Sequence, residues 1–167
     1  MKILAKVAAV AASGAALVLM APAQSQALTG ELIIHSDTGK CMEIENSSKA
    51  NGARAQQWTC KNQAGAQWQL RFVGGGYYNI VNLNSGKCLE IADSRKDLGA
   101  PVQQWSCVKG LATQLWYLNR EVGKPSAPIV NMNASGSLSV GGVDVTPVIK
   151  DNGARVVLGE YGQQWVW

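Results

Sequence analysis

The stretch GKCMEIE (residues 39–45) returns as GKCLEIA (residues 86–92), and each copy runs on to a second echo. That echo is AQQWTC, ending at Cys60, and VQQWSC, ending at Cys107. Residues 33–60 lie over 80–107 without a gap, pairing Ile33 with Ile80, Cys41 with Cys88, Glu43 with Glu90, Trp58 with Trp105 and Cys60 with Cys107. Beyond the second cysteine, GAQWQL (65–70) echoes TQLWYL (113–118) with one residue inserted. A fainter third copy lays IVNMNASGSLSV from Ile129 over IVNLNSGKCLEI from Ile80, which puts Ser137 in the place of Cys88 and Ser139 in that of Glu90. The chain closes on GQQWVW, bringing a third tryptophan motif at Trp165. Self-similarity at a period of about 47 residues is the mark of a repeat architecture.

Within each unit the local signals are short strands. ELIIHS, CMEIEN, QWQLRFV, YYNIVNL and LWYLNR are rich in β-branched and aromatic residues, and turn clusters such as SDTGK, KANGA, VGGG and DNGA separate them. No window beyond the first 27 residues carries a helical stripe. One such unit cannot bury its apolar face, whereas three around a pseudo-three-fold axis share a core and hide their sheet edges. The expected fold is therefore an all-β β-trefoil, with repeats at about 29–76, 77–125 and 126–167. Three blades would be too few for a propeller.

Residues 1–27 read as an export signal, with Lys2 and Lys6, an apolar run from Val7 to Met20, and small residues through APAQSQA. The run is short for a membrane span, and no other candidate span occurs. Cleavage after Ala27, with Ala23 as the second choice, would leave one domain, residues 28–167 in the first case, secreted to the extracellular medium. The remaining basic residues are scattered, so nucleic acid is not an expected partner. Four cysteines in an exported chain imply two disulfides with three possible pairings. Equal spacing of 19 favours Cys41–Cys60 and Cys88–Cys107, each closing a loop worth roughly 3 kcal/mol. A four-cysteine zinc site would need closely spaced pairs that are absent, and no metal or cofactor is expected.

The repeated GKC-x-E-I, the QQW-x-C and the later Gln-x-Trp motif resemble the ricin B-chain type lectins, carbohydrate-binding module family 13, over nearly all of residues 29–167. The resemblance implies a β-trefoil with up to one sugar site per repeat. It places Trp68, Trp116 and Trp165 in the core. It assigns sugar contact to a carboxylate two residues after the first cysteine, an aromatic ring two residues before the second, and an Asn-Gln pair opening the later motif. In the second repeat those places hold Glu90, Trp105 and Gln114, with Thr113 where asparagine would stand. In the first they hold Glu43 and Trp58, with Gly65 and Ala66 in place of the pair. The third has Ser139 for the acid, Gly159 or Arg155 for the ring, and Gln163. Completeness ranks the second repeat first and leaves the third silent.

Glutamate stands where the family prefers aspartate, adding a rotor that a bound sugar would have to see fixed. The plain alternative for Glu43 and Glu90 is an exposed strand residue paired with Lys40 or Lys87. An exposed tryptophan in two repeats favours a use for it. His35, the one histidine, is expected at a turn or strand surface. Catalysis is not expected, because a lone histidine offers little for a nucleophilic triad and the two glutamates fall in different lobes. The expected partner is a glycan or polysaccharide surface. The alternative is a β-trefoil protein-interaction module, a toxin-complex subunit or protease inhibitor, that has lost sugar binding and docks another secreted protein through loops at Gly141–Lys150. Mass spectrometry of culture supernatant should find a chain beginning at Leu28, or at Gln24 if the second position is cut; a product retaining Met1 would refute the export reading.

Overall fold

The computed structural model describes residues 30–118, 123–134, 140–146, 151–160 and 164–167, so the expected signal segment lies outside the described residues. The first repeat supplies β1 (Ile34–His35), β2 (Cys41–Ile44), β3 (Ala55–Trp58) and β4 (Trp68–Gly74). The second supplies β5 (Tyr77–Asn82), β6 (Cys88–Ile91), β7 (Val102–Trp105) and β8 (Trp116–Leu118). The third supplies β9 (Ser126–Ala127), β10 (Ile129–Asn131), β11 (Val140–Thr146), β12 (Arg155–Glu160) and β13 (Trp165–Val166). Single 3-10 turns sit between strands, and no α-helix occurs among the described residues.

The strands form a barrel and a cap. Antiparallel pairing runs β1–β13, β13–β9, β10–β8, β8–β5 and β5–β4, and a bridge from Glu31 to Trp68 returns to the start. Pro128, which has no N–H to give a ladder, separates β9 from β10. The cap is three hairpins, β2–β3, β6–β7 and β11–β12, joined in a ring at Gln56–Arg155, Arg54–Gln103 and Pro101–Val157. A ring of strands leaves no long open edge. This is the expected β-trefoil.

Trp68, Trp116 and Trp165 are fully buried at the centre, with Ile33, Ile80 and Ile129 around them. Each of the first two rings satisfies its buried N–H locally: Trp68 Nε1 donates to the Met42 carbonyl and Trp116 Nε1 to that of Leu89, both at 2.9 Å. Both disulfides form as the spacing predicts, Cys41–Cys60 and Cys88–Cys107, with Cα separations of 5.2 and 5.0 Å. His35 departs from expectation. It is fully buried rather than at the surface, meeting Trp165 edge to face at 4.9 Å. Its counterparts Asn82 and Asn131 are buried too, and hold the chain by donating to the carbonyls of Gly65 and Thr113.

Replacing Cys88 and Cys107 together by alanine should cost about 3 kcal/mol in guanidinium unfolding. A loss below about 1 kcal/mol would mean that the bridge does not constrain the unfolded chain as its 19-residue separation implies.

Candidate functional site

Two matching pockets, each of about 250 Å³, open beside the first and second hairpins. Strand alternation builds them. Glu43 pairs with Gln56 across β2–β3, and Gln56 and Trp58 share a face while Gln57 points to the other. Glu90, Gln103 and Trp105 repeat the arrangement on β6–β7. Trp58 and Trp105 are 37% and 42% exposed, whereas Glu43 and Glu90 are only 6% and 7% exposed.

The surface ion pair considered for the glutamates does not form. The Lys40 ammonium donates to Asn152 Oδ1, and that of Lys87 lies 3.4 Å from Ser106 Oγ. Each carboxylate is instead held by two side-chain amides. Gln56 Nε2 donates to Glu43 Oε1 at 2.9 Å and Gln63 Nε2 to Glu43 Oε2 at 2.6 Å. In the second pocket Gln103 reaches Glu90 Oε1 at 2.9 Å and Gln114 reaches Oε2 at 2.8 Å. The remaining bonds of Gln63 and Gln114 also correspond. Both donate to a carbonyl, of Thr59 or Ser106, and accept a backbone N–H, of Lys61 or Val108.

Gln63 is the residue the sequence comparison missed. Gln114 ends the 3-10 turn Ala112–Gln114, whereas Gln63 stands just before the turn Ala64–Ala66. Opposite ends of the same turn thus deliver an amide to the same place. Ala66 leaves nothing missing, and the two pockets are equally complete in this part of the polar set. Gly65 is required where it stands, since a Cβ there would lie 2.6 Å from the Ile44 carbonyl oxygen. Asparagine could not occupy that place without displacing backbone.

The lip of each pocket holds two consecutive residues in the left-handed region, Asn46 and Ser47 in the first and Asp93 and Ser94 in the second. Such backbone is uncommon outside glycine and costs energy that the surroundings must hold in place. Behind each tryptophan stands the turn of another repeat. A Cβ on Gly52 would be 3.7 Å from Trp105 Cζ3, and one on Gly153 would be 3.8 Å from Trp58 Cζ3. Asn51 Oδ1 accepts the N–H and hydroxyl of Ser106, and Asn152 Oδ1 accepts those of Thr59. Arg155 bonds Glu45 at 2.7 Å across the same boundary and holds the Glu45 carboxyl below its ordinary range.

The third repeat corrects the gapless reading. Val130 pairs with Gly142 as Ile34 pairs with Cys41 and Val81 with Cys88. The acid position, opposite Val157, therefore belongs to Asp144 and not to Ser139, which lies outside the described residues, as does Gln163. The ring position is Gly159, which pairs with Gly142, and not Arg155. Residues 140–146 are a strand rather than a docking loop, and 147–150 lie outside the described residues. With glycine at the ring position the third repeat has no platform.

The ricin-type β-trefoil lectin domain-like family matches residues 29–105 and, overlapping them, 64–159. The chain belongs to this family. Among solved structures, this ricin-type lectin domain is similar to a designed three-fold symmetric protein, ThreeFoil, at 29% identity over 81% of this chain and 94% of that one, with a TM-score of 0.74. It is similar to an exo-β-1,3-galactanase from Clostridium thermocellum at 26% identity, covering 84% of this chain and 30% of that one, TM-score 0.73. The C-half of the earthworm R-type lectin, solved with GalNAc, shares the fold at 14% identity, 81% and 94% coverage and a TM-score of 0.59. No curated protein matches the chain.

Gln63→Ala and Gln114→Ala should each destabilise the domain by about 1–3 kcal/mol, because each strips a donor from a buried carboxylate. Equal losses in thermal unfolding would confirm that the two amides are equivalent; a silent Gln63→Ala would separate them.

Proposed function

We propose that the protein is a secreted, non-catalytic carbohydrate-binding protein that holds galactose-like or xylan-type glycans at two sites. The observation that carries this reading is the twice-built pairing of an exposed indole with a fixed carboxylate in an open pocket. A sugar presents an apolar C–H face and a hydroxyl edge, which suit an aromatic ring and a charged acceptor respectively. A carboxylate has about four lone-pair sites. The amides described above use one on each oxygen, which leaves acceptor capacity for vicinal hydroxyls. The similarity to a galactanase, and the fold shared with a lectin solved with GalNAc, support this class of ligand. So does the resemblance to carbohydrate-binding module family 13.

The same geometry supports a reading of binding rather than hydrolysis. Glycosidases set two carboxyl groups roughly 5–10 Å apart across one cleft, whereas Glu43 and Glu90 line separate pockets. Open sites of this size bind single sugars at about millimolar to high-micromolar affinity, or 4–6 kcal/mol. Retention on a polysaccharide then depends on both sites acting on one chain.

In affinity electrophoresis through galactan or xylan, Trp58→Ala and Trp105→Ala should each weaken retardation, and the double variant should migrate as in a plain gel. Unchanged retardation in the double variant would refute these sites. Migration of the parent protein unaffected by any glycan, with capture of a stoichiometric protein partner that sugars do not release, would favour the protein-interaction module instead.

A further inference from the structure

The two pockets share their backbone and their carboxylate network but differ in charge at two places on the rim. Asn46 and Asp93 are equivalent, each the middle residue of its 3-10 turn, with φ of 54° and 55°. Lys61 and Val108 are equivalent through the backbone N–H that each gives to the pocket glutamine, at 2.8 Å in both. In the first pocket the charges of Glu43 and Lys61 offset one another. In the second, Glu90 and Asp93 are both acidic, and Val108 and Leu111 line the side where the lysine would be. Lys61 is exposed and makes no ion pair among the described residues. Arg95, near Asp93, is engaged by Asp97. Lys109, next to Val108, lines a neighbouring cavity and not this pocket.

We infer that the first pocket selects an acidic sugar, a uronic acid, and the second a neutral one. This rests on the carbohydrate reading above and adds to it a division of labour between the sites. A ring stacked on Trp58 with its hydroxyl edge toward Glu43 has its other substituents at the rim, within the sweep of the flexible Lys61 side chain. A uronate carboxylate there gains a cation. The same carboxylate in the second pocket meets Asp93 and loses hydration against Val108, so repulsion in one site and attraction in the other sort the ligand. An exposed pair of this kind shifts affinity by roughly two- to fivefold, and is screened in about 1 M salt, where the Debye length is about 3 Å. A protein with both sites would grip a heteropolysaccharide where an acidic residue interrupts a neutral stretch.

Single-site proteins test this. Trp105→Ala leaves only the first pocket and Trp58→Ala only the second. Titrated calorimetrically with methyl galactoside and methyl galacturonoside at low salt, the Trp105→Ala protein should prefer the uronate by at least twofold. The Trp58→Ala protein should prefer the neutral sugar. Adding Lys61→Val to the first should abolish its preference, and adding Asp93→Asn with Val108→Lys to the second should reverse it. Equal binding of both sugars in the first pocket, or a uronate preference that survives Lys61→Val, overturns the charge assignment and leaves the carbohydrate reading standing. Absence of binding to either sugar by every protein, including the parent, overturns both.

Discussion

The cap of this molecule hangs on one reciprocal backbone exchange, made three times in a ring. Gly52 N–H donates to the Gln104 carbonyl while Gln104 N–H donates to that of Ala53. Gly153 and Gln57 do the same with Ala154, and Gly99 and Leu158 with Ala100, all at 2.8–2.9 Å. Each exchange requires a turn residue at positive φ, which glycine adopts without the penalty other residues incur; the three glycines lie at 79° to 86°. Because every hairpin is tied to the next, no hairpin is a free two-stranded element, which alone would be marginal in water. The binding surface inherits this dependence. Each exposed indole rests on a turn contributed by a different repeat, so each site is composed of two repeats, although its polar residues all come from one.

The motif Gln-Gln-Trp reads differently once this ring is in view. Its first glutamine fixes the pocket carboxylate, and its tryptophan is the exposed platform. Its second glutamine is fully buried and secures the neighbouring turn: Gln104 Nε2 bonds the carbonyls of Ser48 and Ala50, and Gln57 Nε2 that of Asp151. Three adjacent residues therefore serve pocket, inter-repeat joint and pocket again. That alternation is the period of a strand imposed on function.

Much of this was legible in the sequence, and the misses share a cause. The repeat length and the disulfide pairing follow from identities that recur at fixed spacing, the resemblance to the ricin B-chain type lectins implied the three core tryptophans, and all of these survive in the structure. Gln63 and Asp144 were missed because a comparison of letters tracks positions along the chain, whereas the sites are defined by what reaches a point in space. Gly142 follows Val130 by twelve residues, where Cys41 follows Ile34 and Cys88 follows Val81 by seven. The hairpin register absorbs those five extra residues before the third acid position, and letter matching did not. His35 was misplaced for another reason. Its partner in the comparison was asparagine, a residue common at surfaces, and nothing local announces that this strand end is packed under Trp165.

The third repeat has no platform of its own and still supports that of its neighbour. Where the other hairpins carry Gln-Gln-Trp, it carries Val157, Leu158 and Gly159, all buried. The amide that would hold a carboxylate, the amide that would secure a turn and the platform are all replaced by groups that need no hydrogen-bond partner. The substitution removes polar groups whose burial is costly unless they are paired. Its own turn, however, remains committed to the first repeat, since Asn152 accepts from Lys40 and Thr59 while Gly153 sits under Trp58. The position of the first repeat's exposed indole therefore depends on residues of the third. A substitution in that turn that left the core intact would still loosen the Trp58 ring, because Asn152 and Gly153 support the strand end that carries it.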